Sequence, residues 1–312
     1  MAEEENIQQQ GDVLEIYTGE EMLVKGLLVL GWNQRQIGRV KASTNLTRFK
    51  RLFNAPPIVC AHIWEDLQTA SIEGANINQL GKRSLKEFFA AMHFLARYPT
   101  EHEREQMWKK SCNTLRVSGW LYINCIRALK ADKIKRPSDN FGNDEWALAV
   151  DGVQFASEEK IHPTLPKDPA IFSYKHNCAG FTYEFAVALA ESRLVWMNGP
   201  FDSGAYNDKK IFKNEGLLAQ LKRKRKRAIA DGGYGGHPKY VSTPNSHDSD
   251  EVKLFKRRAR QRNEKYNGML KTFECLSRRF RHSKERIQSC VEAVCVVTEY
   301  KMEHGEVLCD DI

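Results

Sequence analysis

No run of eighteen or more apolar residues, the length a membrane helix needs, occurs in this 312-residue chain. The best candidate, Met22 to Trp32, is short and carries Lys25, so a membrane span is excluded on length. The acidic start (Glu3, Glu4, Glu5) lacks a charged-then-apolar leader, and a secretory signal is not expected. Paired cysteines are missing as well. The eight cysteines, at 60, 112, 125, 178, 275, 290, 295 and 309, contain no CxxC and do not combine with histidines at zinc-finger spacing. They read as small buried hydrophobes in a reducing compartment.

What the chain has is a soluble composition and an uneven charge. Hydrophobic residues make up 41%, and the mean hydropathy is −0.56, both suited to a globular protein with enough chain for one large core or two modest ones. The formal net charge is +8. Acids dominate the first 21 residues, whereas bases gather at 222–227 (Lys222, Arg223, Lys224, Arg225, Lys226, Arg227), at 253–262 and at 271–286. Such asymmetry suits a polyanion, because neutralising phosphates releases counterions and gives affinity without sequence preference. A solvated surface would show the same charges.

Periodicity divides the chain. Residues 1–46 have weak periodicity and read as an acidic, partly ordered arm. From 47 to 130 the pattern is helical. Pro56-Pro57 opens one helix, and the pairs Ser84/Glu87 and Thr100/Glu103 give capping-box signals for two more. These helices fit either a helix-turn-helix module or a plain bundle. Residues 131–145 are polar with Pro and Gly and read as a linker. Beyond them the period changes to two. Strands are expected at Trp146–Val150, ending at Asp151, at 181–189, at Leu194–Met197, at Ala228–Ala230 and at 240–243. A helix capped by Asp208 and running to Leu221 would be the crossover, and two helices, about 251–280 and 284–302, close the chain. Residues 146–312 therefore read as an α/β domain, a sheet flanked by helices.

Three carboxylates stand where this layout would gather them. Asp151 and Asp231 end strands that a helical crossover would make parallel, and ligands bind at such strand ends in open α/β sheets. Glu264 sits on the basic helix, sharing a face with Arg257, Arg260, Asn267, Gly268 and Lys271. Clustered carboxylates repel unless a proton or cation intervenes, and two Mg²⁺ ions about 4 Å apart can clamp the attacking and leaving oxygens of a phosphodiester. Taken singly, each acid has a plainer reading: Asp151-Gly152 and Asp231-Gly232 as turn dipeptides, Asp208 as a cap, Glu264 as an ion-pair partner of Arg260.

Five ordered segments, VDGVQF, VWMNGPFDSGAYND, IADGGYGG, STPN and RARQRNEKYNGMLKTFECLSRRFRH, resemble the DDE-type transposases of the PIF/Harbinger group. The resemblance covers roughly Trp146 to His282. It implies an RNase H-like nuclease domain at 146–312 and a metal-binding catalytic triad of Asp151, Asp231 and Glu264. It also implies a cofactor of Mg²⁺ or Mn²⁺, two ions together, and cleavage of DNA with strand transfer through the same site. Asp208 occupies the position of a further family acid, preceded here by Asn207 where members often have histidine. Arg257, Arg260 and Lys271 would contact the DNA backbone. The run at 222–227 is either a DNA-facing edge or a nuclear-import signal, and the implied location is nuclear. A Myb-like helper protein and a homo-oligomer are further partners the resemblance leaves open. The rival reading is a domesticated, non-catalytic DNA-binding or adaptor protein on the same fold.

Overall fold

The computed structural model of the protein describes residues 14–81, 84–134, 146–158 and 168–308. Most of the expected linker, and the first part of the arm, lie outside these residues. Two short helices occupy what was expected to be arm, α1 (Gly19–Val29) and α2 (Gln34–Gly38). Thr18 and Asn33 close a capping box at the start of each. Their weak hydrophobic signal has a physical reason. The tightest contact of α1 runs through Gly26, where an added Cβ would collide with the Phe49 ring. A glycine carries no apolar signature.

Six helices follow: α3 (Ala42–Phe53), α4 (Pro57–Thr69, Pro57 at its first position), α5 (Leu85–Arg97), α6 (Glu101–Trp108), α7 (Cys112–Ala128) and α8 (Lys130–Lys133). Thr100 closes the expected capping box on α6, whereas Ser84 caps α5 without the reciprocal half, its Glu87 accepting from Lys110 at 2.7 Å instead.

The second half is built on a mixed sheet of β1 (Trp146–Ala156), β2 (Phe172–Ser173), β3 (Cys178–Ala188), β4 (Leu194–Asp202), β5 (Arg227–Ile229) and β6 (Val241–Ser242). Strands β4, β3 and β1 pair antiparallel, and β5 and then β6 join β1 in parallel. The order β4-β3-β1-β5-β6, three antiparallel strands continued by two parallel ones, is the RNase H-like arrangement. The crossover into β5 is not one helix but two, α9 (Asp208–Asn214) and α10 (Leu217–Lys224), broken at Gly216, whose φ of +113° only glycine adopts readily. Likewise the long basic helix stops early. α11 (Asp250–Lys271) gives way to α12 (Glu274–Ser277), so that Phe273 can turn fully into the core, and α13 (Lys284–Glu303) closes the fold.

Helices cover both faces of the sheet. Ala149, Val153 and Phe155 of β1 join the core under α11 and α13, while Leu148 and Val150 join a second cluster with Phe212, Leu217, Leu218 and Leu221 of α9 and α10. The first core is continuous with the helices of the N-terminal half. Polar ties reinforce it: Arg127 and Lys130 both donate to Glu292 of α13 at 2.7 Å, and the Arg281 amide donates to the Tyr98 hydroxyl at 2.6 Å.

Glu299 of α13 lies in this core, accepting the Leu194 amide at 3.0 Å, and burial pushes its carboxyl up to about 8. The folded state therefore holds a proton that the unfolded chain releases above about 4.5. Its contribution to stability is full below pH 4.5 and falls by about 1.4 kcal/mol per pH unit up to about pH 8. Glu299→Gln keeps the acceptor and removes the titration. Denaturant melts should show it more stable than the parent at pH 8 and equal to it near pH 4; parallel curves at both pH values would contradict this.

Candidate active site

The sheet itself sets the first two acids. β1 is longer than its apolar core suggests, because Val153 and Phe155 keep alternating into the core opposite β3, so Asp151 stands mid-strand, across from Phe185. On its other side the pairing stops: the last β1–β5 partners are Ala149 and Ile229. Two residues on from each lie Asp151 and Asp231, level with one another on the face that carries α11. The notch between them is where the sheet changes from antiparallel to parallel.

Asp208 comes from the opposite face. It is the first residue of α9, whose cap is Asn207, accepting the Lys210 amide at 2.9 Å. Asp208 reaches the notch through space that Gly152 leaves open, since a Cβ there would overlap its Oδ1, only 2.0 Å away. Its Oδ2 lies 3.4 Å from where a Cβ on Gly233 would be, and Asp231 Oδ1 lies 3.0 Å from the same point. Two glycines thus make room for the Asp208 carboxylate, one following Asp151 in β1 and one in the turn after Asp231.

The electrostatics follow the geometry. Burial pushes the Asp151 carboxyl up to about 6; Asp231 and Asp208 add to the rise, and the Gly152 amide, donating at 2.9 Å, and Lys175 oppose it. Asp208 is raised by burial and by Asp231, with Lys175 again opposing. Behind them lies Glu184 of β3, opposite Gly152 and fully buried. Its Oε2 accepts the Trp196 indole at 3.0 Å, and burial pushes it up to about 8. The buried Tyr234 hydroxyl sits beside the Asp208 seat and has no hydrogen-bond partner among the described residues.

Glu264 is placed differently. It is exposed on α11 and makes no hydrogen bond or ion pair with any described residue, the Arg260 pair included. One turn along the same face, the Asn267 amide donates to Asp151 Oδ2 at 3.0 Å. Residues three apart on a helix have Cβ atoms about 5–6 Å apart, so Glu264 borders the acid group without entering it.

Among the described residues no three of His, Cys, Asp and Glu are already arranged to hold a metal ion. The chemistry of the donors is nonetheless that of a hard-cation site: Asp151, Asp208 and Asp231 are oxygen donors, and burial together with the Asp231 charge raises the first two, a rise that a divalent cation would relieve.

Of the expected backbone contacts, Arg257 and Lys271 are exposed and Arg260 is half-buried. Arg257 and Arg260 line a 550 Å³ cavity with Lys253, Lys256, Pro244 and Asn245. Lys271 lies near His176, where its charge lowers the imidazole after burial and Lys175. The run 222–227 is not brought to the acids. It ends α10 and enters β5 at the end opposite Asp231, where the Arg227 guanidinium stacks 3.9 Å over the Trp146 ring. Sequence reasoning missed Glu184, Lys175 and His176. Glu184 reads there as the polar side of a half-buried strand, and the other two, in the turn before β3, bear no local motif.

Residues 150–299 match the family model described as DDE superfamily endonuclease. No curated protein matches the chain. Among solved structures, a match is the crystal structure of a pre-cleavage Mos1 transpososome, 9% identical over 92% of this chain and 96% of that chain, with a TM-score of 0.23.

Proposed function

We propose that the protein, whose residues 150–299 match the DDE superfamily endonuclease model, is a divalent-metal-dependent DNA endonuclease of the PIF/Harbinger transposase type. The observation that supports this reading is that Asp151, Asp208 and Asp231 lie close enough at the notch of the sheet for Asp208 and Asp231 to raise the Asp151 carboxyl and for Asp231 to raise that of Asp208. Asp151, Asp208 and Asp231 would hold the ions, with Glu264 closing the group from α11. Divalent ions there supply Lewis-acid polarisation of the phosphodiester and neutralise the charge that develops on its oxygens.

The chain's own groups do the rest. Asn267 fixes the Asp151 carboxylate through its Oδ2, and the Gly152 amide fixes Oδ1. Lys175 gives the acid site a cation, and Lys271 near His176 with Arg257 and Arg260 further along α11 would offer the phosphate backbone more. The exposed bases of 222–227, remote from the acids, suit an import signal better than a substrate contact, in keeping with a nuclear location.

One observation favours the non-catalytic alternative, a DNA-binding protein on the same fold: Glu264 lies outside the acid group. Nicking of supercoiled plasmid in Mg²⁺ or Mn²⁺, against an EDTA control, separates the two. Glu264→Ala should abolish nicking and spare affinity, since removing an anion from a basic face does not weaken phosphate attraction. Purified protein that binds DNA and never cuts it would leave the alternative standing.

A further inference from the structure

The turn that Asp231 begins ends in a ring buried beside the acids. Tyr234 closes the tight turn Gly232–Tyr234, and its side chain is fully buried. The ring meets that of Phe212 edge to face, centroids 5.6 Å apart, and Phe212 stands one helical turn on from Asp208 in α9. One aromatic contact thus joins the turn of one acid to the helix of another. Packing accounts for a buried ring at this place; it does not account for the hydroxyl.

That hydroxyl has no hydrogen-bond partner among the described residues. A buried polar atom left unpaired costs stability, and phenylalanine would keep the ring without that cost. Its surroundings show what it faces. A Cβ on Gly152 would lie 3.6 Å from the Tyr234 oxygen and would overlap Asp208 Oδ1, so one point beside β1 has both oxygens as neighbours. Glu184, opposite Gly152 on β3, is buried as well, and its Oε1 is also unpartnered among the described residues.

The three acids are held unequally. Asp151 accepts from the Gly152 amide and from Asn267, and Asp231 accepts from the Gly233 amide. The Asp208 carboxylate accepts no hydrogen bond from any described residue. So the acid that lacks a donor and the hydroxyl that lacks an acceptor border the same point of the notch.

We propose that Tyr234 is a positioning residue, its hydroxyl donating to the Asp208 carboxylate when that group holds a divalent ion and so fixing which oxygen faces the metal. The proposal rests on the reading of Asp208 as a metal ligand. A hydrogen bond to a ligating carboxylate sets its orientation, and loss of such a partner typically costs 10–100-fold in metal affinity or activity. Tyr234 acts through Asp208 and needs no contact with the substrate.

Tyr234→Phe removes the oxygen and keeps the ring on Phe212. Calorimetric titration with Mn²⁺ should show its affinity about tenfold weaker than the parent's. Without metal its melting temperature should equal or exceed the parent's, because an unpaired buried hydroxyl is gone. Nicking should recover towards the parent's rate as Mn²⁺ is raised. Tyr183→Phe loses the same atom elsewhere: that hydroxyl is also buried and unpartnered, but alternation along β3 turns it away from Glu184, into the core under α13. Its Mn²⁺ affinity should match the parent's. Parent-like Mn²⁺ affinity in Tyr234→Phe overturns the proposal, and so does an equal weakening in Tyr183→Phe. A lower metal-free melting temperature with unchanged affinity marks a purely structural hydroxyl and overturns it too. A parent that takes up no Mn²⁺ overturns the metal-site reading, and this proposal with it.

Discussion

Asparagine at Asp231 is expected to reduce metal-dependent nicking of supercoiled DNA by roughly 10³-fold or more, the scale on which groups acting in the transition state are lost. The choice of asparagine matters. Asp231 Oδ1 accepts the Gly233 amide at 2.8 Å and so begins the tight turn Gly232–Tyr234. Asparagine keeps that acceptor and removes only the charge. Asp208→Asn and Asp151→Asn should lose as much, because both of these carboxylates feel the Asp231 charge and would hold the same ions. A second readout does not depend on activity. Mg²⁺ or Mn²⁺ should raise the melting temperature of the parent, since a ligand that binds the native state stabilises it, and should leave that of Asp231→Asn unmoved. Asp231→Asn cutting at the parent's rate would sink the assignment.

The resemblance found the acids; the residues alone explain why they meet only in part. Strand periodicity located β1, β3 and β5, and the crossover argument made β5 parallel to β1, so the level placement of Asp151 and Asp231 was legible. Asp208 was legible only as a possible ligand, since a residue at a helix start looks like a cap. Its partner in space is Gly152, and nothing local couples a glycine to an acid 56 positions on (208 − 152). Glu184 shows a different blindness. Alternation marks Thr182 and Glu184 as an outward row, but this sheet is covered on both faces, and the row is buried under α9. Period two cannot tell a solvated face from one packed against a second layer.

The basic run teaches the reverse lesson. Adjacency in sequence sets 222–227 close to Asp231, yet β5 stands between them and leaves the two at opposite ends of that strand. The cation that does act on the acids, Lys175, comes from a hairpin turn, with Lys271 at the end of α11 near its neighbour His176. Long-range pairing put them there, and the order of the chain does not record it.

Gly152→Ala should separate the seating of Asp208 from the stability of the fold. Gly152 is extended strand without a positive φ, so its backbone suits alanine, and the ladder to Glu184 is undisturbed. Glycine in a strand interior is costly to order, and on that ground alone alanine would stabilise the protein slightly. Its methyl group, however, would occupy the place of Asp208 Oδ1. The carboxylate must then swing out of the notch, and a displacement of about 1 Å at a reacting centre can cost 10²-fold. Nicking is therefore expected to fall by about 10²-fold or more, with the melting temperature near the parent's and the metal-induced shift reduced. Gly268→Ala is the matched control. It lies on α11 with nothing within 4 Å of an added Cβ, and alanine there should stabilise the helix by about 1 kcal/mol without changing the cutting rate. If Gly152→Ala cuts as fast as Gly268→Ala, the Asp208 carboxylate has no part in the reaction. Asp151 and Asp231 must then find their third oxygen donor on α11, at Glu264.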